Sequence, residues 1–320
     1  MAKIIFGDGV VGRVLFDKCI ELKIDITGFC DEDKSKKALS IEEAKKLGLG
    51  FLIATGSDVS EKLKGCEILH EETARLLEQV DLTKLDRYAQ FCVLNCIDCN
   101  RNYDNPFFLR SLDVMVTEKC SLRCRDCSNL MQYYEQPKHI AILNDLVELL
   151  DTYSAGEFRV IGGEPFLNPM WCLIVEYLID NEKAKRIVIY TNGTVVPGVE
   201  YLKRDEVFVM VTNYGKLSYK LEEIKTLFDK HGIAYKILEP KWTDCGKIEK
   251  HSRTIEELKQ MFRDCCSRNS TLSDGKLYDC AFSANLARLG IYDNRASCDY
   301  CNGRPLNATE IEPAVQMAVN

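Results

Sequence analysis

Short apolar runs alternate along this chain with longer stretches in which apolar residues recur at helical spacing. In the middle of the chain, five such runs, each leading towards polar residues, are candidates for strands: 112–117, 158–161, 187–190, 207–211 and 234–238. Between them, apolar residues three and four positions apart predict helices. Strands that alternate with helices indicate a parallel sheet in an α/β fold. Functional sites form at the carboxyl ends of such strands.

The N-terminal part repeats this alternation on a smaller scale. A strand, Lys3–Phe6, leads into a G-x-G-x-x-G pattern at 7–12, and further strands are predicted at 24–29 and 51–54. Asp31 stands where a ribose-binding acid lies in dinucleotide-binding folds. This pattern predicts a truncated, half-Rossmann βαβ domain. Two interpretations are open: the loop binds a nucleotide phosphate at a helix N-terminus, or its glycines only permit close packing of helix on strand.

Composition and net charge limit the classes of function that this chain can have. The chain has 320 residues, 46% of them hydrophobic, and a net charge of −7. That charge argues against a nucleic-acid partner, which requires a basic surface. No apolar run approaches the roughly 18 residues of a membrane span, and no signal peptide is recognisable. The 16 cysteines therefore indicate a reducing compartment, the cytoplasm, and metal ligation rather than disulfides.

Three cysteines follow the strand predicted at 112–117. They are Cys120, Cys124 and Cys127, spaced C-x3-C-x2-C. Three thiolates at a strand end can hold three irons of a 4Fe–4S cluster and leave the fourth iron open to a small molecule. A four-thiolate zinc site is the alternative, but no fourth ligand follows Cys127 at suitable spacing.

A second triplet with the same spacing, Cys92, Cys96 and Cys99, lies upstream in the connecting segment. The apolar residues of 85–91 recur at helical spacing, so a helix would carry all three cysteines on one face. Buried cysteines are one interpretation of this triplet. A zinc or additional cluster site with a distant fourth ligand is the other. We do not choose this triplet for the open cluster.

Two further motifs stand at strand ends. Gly162–Pro165 (Gly-Gly-Glu-Pro) follows the second strand, and Tyr190–Gly193 (Tyr-Thr-Asn-Gly) spans the end of the third. With the cysteine loop at 120–127 they resemble the radical S-adenosylmethionine (radical SAM) enzymes, a similarity that extends over roughly 110–305. It implies a partial (βα)6 TIM-like barrel. It also implies a 4Fe–4S cluster on the three cysteines, with SAM chelating the open iron.

The resemblance assigns roles to single residues. Gly162, Gly163 and Glu164 match the motif that receives the SAM amino group. Asn192 and Asn213, at later strand ends, are candidate partners of the ribose hydroxyls or of the SAM carboxylate. Turn chemistry alone is the other explanation of the two asparagines, since Asn tolerates tight turns.

One position departs from the family. Where these enzymes usually place an aromatic residue before the third cysteine, this chain has Asp126. The adenine-facing contact is therefore in question, and Tyr133 or Tyr134 is a candidate substitute.

The C-terminal part carries another cysteine pattern. A hairpin turn predicted at 273–275 would return the chain towards Cys265, which fits the spacing better than Cys266. The pattern resembles the twitch or SPASM extension of radical SAM enzymes, which holds an auxiliary Fe–S cluster, here expected to be 4Fe–4S. Its expected ligands are Cys265, Cys280, Cys298 and Cys301. A structural zinc site is the alternative, because zinc takes the same four thiolates.

Cys245 is the remaining candidate for chemistry. It could donate a hydrogen atom to a product radical, as in some epimerising members of the family, or ligate iron. A small buried hydrophobe is the commonest role of a free cysteine.

The resemblance implies a radical SAM enzyme that oxidises or epimerises a small-molecule substrate, and the cysteine content indicates the cytoplasm. The resemblance also implies an external electron donor, of flavodoxin or ferredoxin type. A carbohydrate or nucleotide-linked sugar is the expected substrate, since residues 28–33 resemble the N-terminal domain of sugar-modifying acyltransferases. The alternatives are a peptide-modifying radical SAM/SPASM enzyme and a non-catalytic Fe–S or zinc protein. The predicted segments are 1–80 (Rossmann-like), 81–110 (linker), 111–250 (partial barrel) and 251–320 (auxiliary-cluster extension).

Overall fold

The protein divides into two compact units, Met1–Arg110 and Ser111–Asn320. The computed structural model describes residues 2–32, 38–57, 59–60, 62–240, 248, 252–257, 261, 269–291 and 304–305. The finer division into four segments stays a prediction. Among the described helices, none is long and apolar enough to cross a membrane.

The N-terminal unit contains a three-stranded parallel sheet in the order β2-β1-β3. Its strands are β1 (Lys3–Phe6), β2 (Ile26–Cys30) and β3 (Gly50–Ile53), with a short strand β4 (Phe108–Leu109) near the end of the unit. Its helices are α1 (Val10–Glu21), α2 (Ile41–Lys46), α3 (His70–Leu77) and α4 (Arg87–Arg101), with a 3-10 turn at Leu82–Lys84. The predicted βαβ arrangement is confirmed.

The central strand β1 organises two apolar layers, because successive side chains of a strand point to opposite faces. Ile5 packs with Leu15 of α1 and Cys96 of α4, whereas Ile4 packs on the other face with Phe51. Both isoleucines are fully buried. This sheet is therefore covered by hydrophobic side chains on both faces, as parallel sheets require.

The C-terminal unit is built on a mixed sheet in the order β10-β9-β8-β7-β5-β11-β12-β13. Its strands are β5 (Leu112–Met115), β6 (Ser154–Ala155), β7 (Phe158–Ile161), β8 (Ile187–Thr191), β9 (Val207–Thr212), β10 (Tyr235–Leu238), β11 (Ser270–Ser273), β12 (Lys276–Tyr278) and β13 (Arg304–Pro305). Its helices are α5 (Leu143–Thr152), α6 (Trp171–Asp180), α7 (Leu221–His231) and α8 (Ala281–Arg288). Short 3-10 turns lie at Met131–Tyr133, Pro165–Leu167, Tyr201–Lys203 and Gly215–Leu217.

All five strands predicted in the middle of the chain form, and they are parallel neighbours in chain order. A further parallel strand, β11, pairs with β5 rather than extending the sheet beyond β10. The first strand ends at Met115, before the predicted Thr117, because Thr117 pairs instead in an isolated antiparallel bridge with His139. The carboxyl ends of β5, β7, β8 and β9 consequently lie side by side.

Glycines mark the ends of two elements, and one of them confirms the hairpin turn predicted at 273–275. Gly232 ends α7 in the left-handed conformation, with φ of 65°, where glycine is favoured. Asp274 and Gly275 both have positive φ, 49° and 66°, and join β11 to β12 as a two-residue hairpin turn does. The amide of Gly275 donates to Asp145 Oδ2 of α5 at 2.7 Å, which anchors the turn.

Candidate functional site

The loop that carries Cys120, Cys124 and Cys127 begins directly after β5 and packs on the Gly-Gly-Glu turn after β7. Two backbone hydrogen bonds join them: Gly163 N donates to Thr117 O at 3.0 Å, and Glu164 N donates to Lys119 O at 2.9 Å. The loop and the turn therefore form one backbone-to-backbone unit at adjacent strand ends.

The two glycines of the turn are required by this close approach. A Cβ on Gly163 would lie 2.3 Å from Lys119 O and 2.7 Å from the Cβ of Cys120, and a Cβ on Gly162 would lie 2.6 Å from Thr117 O. These distances leave no room for any side chain. Glycine at positions 162 and 163, which the sequence predicts for contact with SAM, is therefore already required for the cysteine loop to pack on this turn.

The three thiols of the loop are partly exposed. Cys120 and Cys127 pack against an apolar cluster that includes Met115, Met131 and Ile161. Burial raises the pKa of the Cys120 thiol to about 11 and also raises the pKa of Cys124. The thiols of Cys120 and Cys124 are consequently protonated at neutral pH without metal, and binding of a metal group would release their protons.

The donor set fits an iron–sulfur cluster better than a single ion. Three half-buried thiols on one loop are the ligand type of Fe–S clusters, in which each thiolate binds a different iron. In the part of the chain that the structure describes, no three His, Cys, Asp or Glu side chains converge so as to hold one metal ion.

Glu164 is fully buried and its carboxylate is occupied by donors of the chain itself. It accepts hydrogen bonds from Thr191 Oγ1 at 2.9 Å and from the amide of Asn192 at 2.8 Å, both at the end of β8. The amide of Phe166 donates to it at 3.2 Å. Burial raises the pKa of this carboxyl to about 7, against the hydrogen bonds, which lower it. Its side chain thus links the turn after β7 to the end of β8.

Asn192 extends from β8 onto the cysteine loop. Its Nδ2 donates to Ser121 Oγ at 3.1 Å and lies 3.5 Å from the sulfur of Cys120. Its Oδ1 accepts from the amide of Thr194 at 3.1 Å, and the hydroxyls of Thr194 and Ser121 also contact each other. Hydrogen bonds to the sulfur of a cluster ligand tune its redox potential. Sequence reasoning missed Ser121 and Thr194, whose only signal is their position inside or beside the two motifs.

Asn213, at the end of β9, is used differently. Its Oδ1 accepts from the amide of Gly215 at 2.9 Å, and its Nδ2 donates to Glu239 Oε1 at 3.2 Å. This is the turn chemistry left open by the sequence. Its neighbour Tyr214 is closer to the thiols: burial, and then the charges of Cys124, Cys127 and Cys120, raise the pKa of Tyr214 to about 12. Tyr214 was not among the predicted site residues.

The structure also describes Tyr133 and Tyr134, the two candidates to replace the aromatic residue that is absent at Asp126. Tyr134 is buried and donates through its hydroxyl to Asn285 Oδ1 at 2.6 Å. Its ring packs in the apolar cluster beside Cys120 and Cys127. Tyr133 ends the 3-10 turn Met131–Tyr133.

The upstream triplet lies on α4, as its pattern predicted. Cys96 and Cys99 are almost wholly buried, at 1% and 0% exposure, and Cys92 packs partly buried against the same core. The thiol of Cys96 donates to the carbonyl of Ile53 at 3.3 Å, and burial raises its pKa strongly. These contacts favour the interpretation of buried hydrophobic cysteines.

The N-terminal glycine loop is occupied by side chains of the chain itself. Asp31 Oδ2 accepts from the amide of Asp8 at 2.6 Å, so an amide that could face a phosphate already binds a carboxylate. A Cβ on Gly12 would lie 1.9 Å from Gly7 O. Both observations favour the packing interpretation of the glycines over phosphate binding.

Of the C-terminal cysteines, Cys280 is described. It caps the N-terminus of α8, and its sulfur accepts from the amide of Ser283 at 3.4 Å. A helix N-terminus stabilises the thiolate form of a cysteine, as a metal ligand requires. The other predicted C-terminal residues lie outside the described residues: Cys245, Cys265, Cys266, Cys298 and Cys301.

Comparison with known proteins gives partial matches. The family model that matches is the 4Fe-4S single cluster domain, over residues 110–214. One curated relative is a probable GTP 3′,8-cyclase of Methanocaldococcus jannaschii, 25% identical over 141 residues, which are 38% of this chain and 46% of the relative. Another is GTP 3′,8-cyclase of Clostridium acetobutylicum, 27% identical over 134 residues, which are 36% of this chain and 42% of the relative. The chain thus spans less than half the length of these relatives.

Solved structures show a weaker likeness. Native anSMEcpe with bound AdoMet and Cp18Cys peptide is 16% identical, with a TM-score of 0.39, and the match covers 54% of this chain and 74% of that one. SuiB of Streptococcus suis is 12% identical, with a TM-score of 0.35, and the match covers 71% and 62%. These TM-scores are too low to support an inference.

The family match coincides with the part of the chain where the structure assembles its motifs. The matched 4Fe-4S domain begins just before β5 and ends just after β9, so it includes the cysteine loop, the Gly-Gly-Glu turn and both asparagines. Residues 110–214 therefore match a 4Fe-4S single cluster domain, and together with the curated relatives this match supports a radical SAM enzyme with a 4Fe–4S cluster and SAM as cofactors.

Proposed function

We propose that this protein uses Cys120, Cys124 and Cys127 to hold the 4Fe–4S cluster that binds SAM, and that it abstracts a hydrogen atom from carbon of a bound substrate. When bound, the cluster and SAM together supply a 5′-deoxyadenosyl radical after one-electron reduction, which an external flavodoxin- or ferredoxin-type donor would provide. The protein's part is to bind, to orient and to exclude water.

The observation that carries the proposal is the assembly of three strand ends around the first cysteine. The loop after β5 packs on the Gly-Gly-Glu turn after β7, and Asn192 from β8 reaches Cys120. A protein with purely structural cysteines has no need of this convergence, since zinc requires four close ligands and no supporting turn from other strands.

Roles for the supporting residues follow from these contacts. The Glu164 carboxylate is occupied by donors from β8, and the carbonyl of Gly162 accepts from Asn129 Nδ2 at 3.1 Å. We therefore propose that the backbone carbonyl of Gly163 receives the SAM amino group, while Gly162 and Glu164 hold the turn in place. Asn192 and Asn213 are proposed as partners of the ribose hydroxyls or of the SAM carboxylate. Asn192 has the stronger support, since it already contacts the cysteine loop.

The auxiliary cluster is the second part of the proposal. Cys280 at the N-terminus of α8 would be one ligand, together with Cys265, Cys298 and Cys301, on a partial (βα)6 barrel whose strand β5 carries β11 at its side. Its role would be to accept or relay an electron from a substrate radical. Cys245 is proposed as a hydrogen-atom donor.

For the substrate we propose a carbohydrate or a nucleotide-linked sugar, oxidised or epimerised at carbon. The curated relatives are named for action on GTP, a nucleotide, and this supports a substrate with a nucleotide part. A peptide is the second substrate class, which the auxiliary-cluster resemblance fits equally well. The two classes are distinguished by incubating the reconstituted protein with a nucleotide-linked sugar and, under identical conditions, with a peptide, and by analysing the products of each.

Anaerobic reconstitution tests the proposed chemistry. We expect about eight irons per chain, for two 4Fe–4S clusters, and slow release of 5′-deoxyadenosine when dithionite and SAM are added. Bound zinc in place of iron, with SAM left intact, would overturn the proposal. About twelve irons would instead show that Cys92, Cys96 and Cys99 hold a third cluster.

A further inference from the structure

A buried ion pair connects the C-terminal segment to the start of the cysteine loop. Arg288, the last residue of α8, lies 2.5 Å from Glu118 Oε1 through its Nη2, and its Nε donates to the same oxygen at 3.2 Å. The two side chains are only 5% and 4% exposed. Glu118 stands two residues before Cys120, and Arg288 stands eight residues after Cys280.

On its other side, Arg288 holds the hairpin that precedes α8. Its Nη1 lies 2.5 Å from Asp274 Oδ2 and donates to Ser273 Oγ at 3.3 Å. The guanidinium therefore bridges the hairpin turn and Glu118. Arg is suited to this role because its planar group presents five donors in a fixed geometry.

Glu118 is in turn fixed within the cysteine loop. Its Oε2 accepts from the amide of Lys138 at 2.9 Å, and its own amide donates to Lys138 O at 2.9 Å. The residues on either side of it, Thr117 and Lys119, accept the two hydrogen bonds from the Gly-Gly-Glu turn. A shift of Glu118 would thus displace the backbone that positions Cys120.

The helix α8 completes a rigid connection between two cysteines. Cys280 caps its first turn and Arg288 ends it. In the middle of the helix, Asn285 donates to Met115 Sδ at 3.3 Å and accepts from Tyr134. The helix therefore contacts the apolar cluster against which Cys120 packs. A helix of this length transmits a displacement at one end to the other, since its backbone is hydrogen-bonded throughout.

We infer that Arg288 is a positioning residue: through Glu118 it couples the segment that carries Cys280 to the loop that carries Cys120. This rests on the proposed function in assuming that both cysteines bind clusters. The bridge would set the place of the auxiliary ligand relative to the SAM site, so that SAM binding depends on the C-terminal segment being docked.

The test compares three variants of the full chain. Arg288→Met removes the bridge and leaves Glu118 buried without its partner, which is costly. Glu118→Leu with Arg288→Met removes the bridge without leaving a buried charge. Arg204→Met, at the exposed pair of Arg204 with Glu206 (3.8 Å), is the matched control.

Two readouts are made on each variant. In the reconstituted protein, SAM is titrated against the EPR spectrum of the reduced cluster. We expect SAM binding to weaken about tenfold in Arg288→Met and in the neutral double variant, within the range usual for coupling between sites, and to be unchanged in Arg204→Met. In the metal-free chain, hydrogen exchange should quicken both at 118–130 and at 280–288 in the two bridge variants.

The neutral double variant separates positioning from stability. If it regains wild-type SAM binding and exchange together with its melting temperature, the pair is merely structural and the inference is wrong. If Arg288→Met matches Arg204→Met in both readouts, the inference is also wrong. Failure of the proposed function is recognised differently: the wild type itself would show no effect of SAM on the EPR spectrum, while the exchange experiment would still test the bridge.

Discussion

Two cysteine triplets of identical spacing lie within one chain and have opposite surroundings. Cys92, Cys96 and Cys99 lie on helix α4, and the last two are almost completely buried in the core of the N-terminal unit. Cys120, Cys124 and Cys127 lie on a loop after β5 and remain partly exposed.

The difference teaches that spacing alone does not make a cluster site. On α4 the helix directs the thiols into an apolar core, where the thiol of Cys96 donates to the carbonyl of Ile53. On the loop, backbone hydrogen bonds to the Gly-Gly-Glu turn and the contact with Asn192 hold the chain in place. The element that carries the motif, and the support it receives from neighbouring strands, decide its chemistry.

The largest effect is expected from the loop triplet. Cys124→Ala should abolish release of 5′-deoxyadenosine and lower bound iron by about four atoms per chain, because a cluster with two protein ligands is not retained. The measurement is iron and sulfide content together with product analysis under anaerobic conditions. Full activity in Cys124→Ala would show that the loop triplet does not hold the cluster, and the two triplets would then not differ in function.

The next largest effect is expected from the Gly-Gly-Glu turn on which the cysteine loop packs. Gly163→Ala would place a Cβ 2.3 Å from Lys119 O, forcing the loop and turn apart at a cost of about 1–3 kcal/mol. Iron bound at the loop should fall severalfold, although every thiol is kept. Gly198→Ala is the matched control, since a Cβ there meets nothing within 4 Å. Equal iron content in the two variants would contradict the prediction.

A smaller effect is expected from the buried carboxyl beside the loop. Burial raises the pKa of Glu164 to about 7 from an ordinary 4.5, so the folded protein binds this proton more tightly than the unfolded chain. Its contribution to stability is therefore full below about pH 4.5 and is lost as the pH rises through about 7, by at most about 1.4 kcal/mol per pH unit.

Glu164→Gln removes this titration. Unfolding midpoints measured from pH 4.5 to 8 should therefore fall more steeply with pH in the wild type than in the variant. Parallel curves for the two proteins would show that the carboxyl does not titrate in this window.

The smallest effect is expected from the helical triplet. Cys96→Ala should leave bound iron and SAM cleavage unchanged and lower the free energy of unfolding by about 1–2 kcal/mol, since it removes a buried sulfur from the core. Cys172→Ala, at a partly exposed cysteine, should change neither. Chemical denaturation and iron analysis check this, and a loss of about four irons would reverse our interpretation of α4.

Much of the fold was predictable because its signals are local. The five middle strands and the hairpin turn at Asp274 and Gly275 were predicted from neighbouring residues alone. The cysteine loop and the Gly-Gly-Glu turn were likewise found as motifs, since their glycines and thiols admit few substitutes.

The rest depended on side chains that meet only after folding. Sequence could not show that the Glu164 carboxylate is taken up by Thr191 and Asn192, because its hydrogen-bond partners come from another strand. It also could not distinguish Asn192, which reaches Cys120, from Asn213, which caps its own turn. Residue type and spacing thus determined which chemistry the chain carries.

Only the tertiary structure decided how the C-terminal segment is docked. Arg288 and Glu118 stand 170 residues apart in the sequence, and no local pattern marks either as one of a pair. Burial of both charges makes their pairing obligatory, since neither could be left alone in the core. Sequence alone therefore specified the candidate ligands, whereas packing specified what holds them in place.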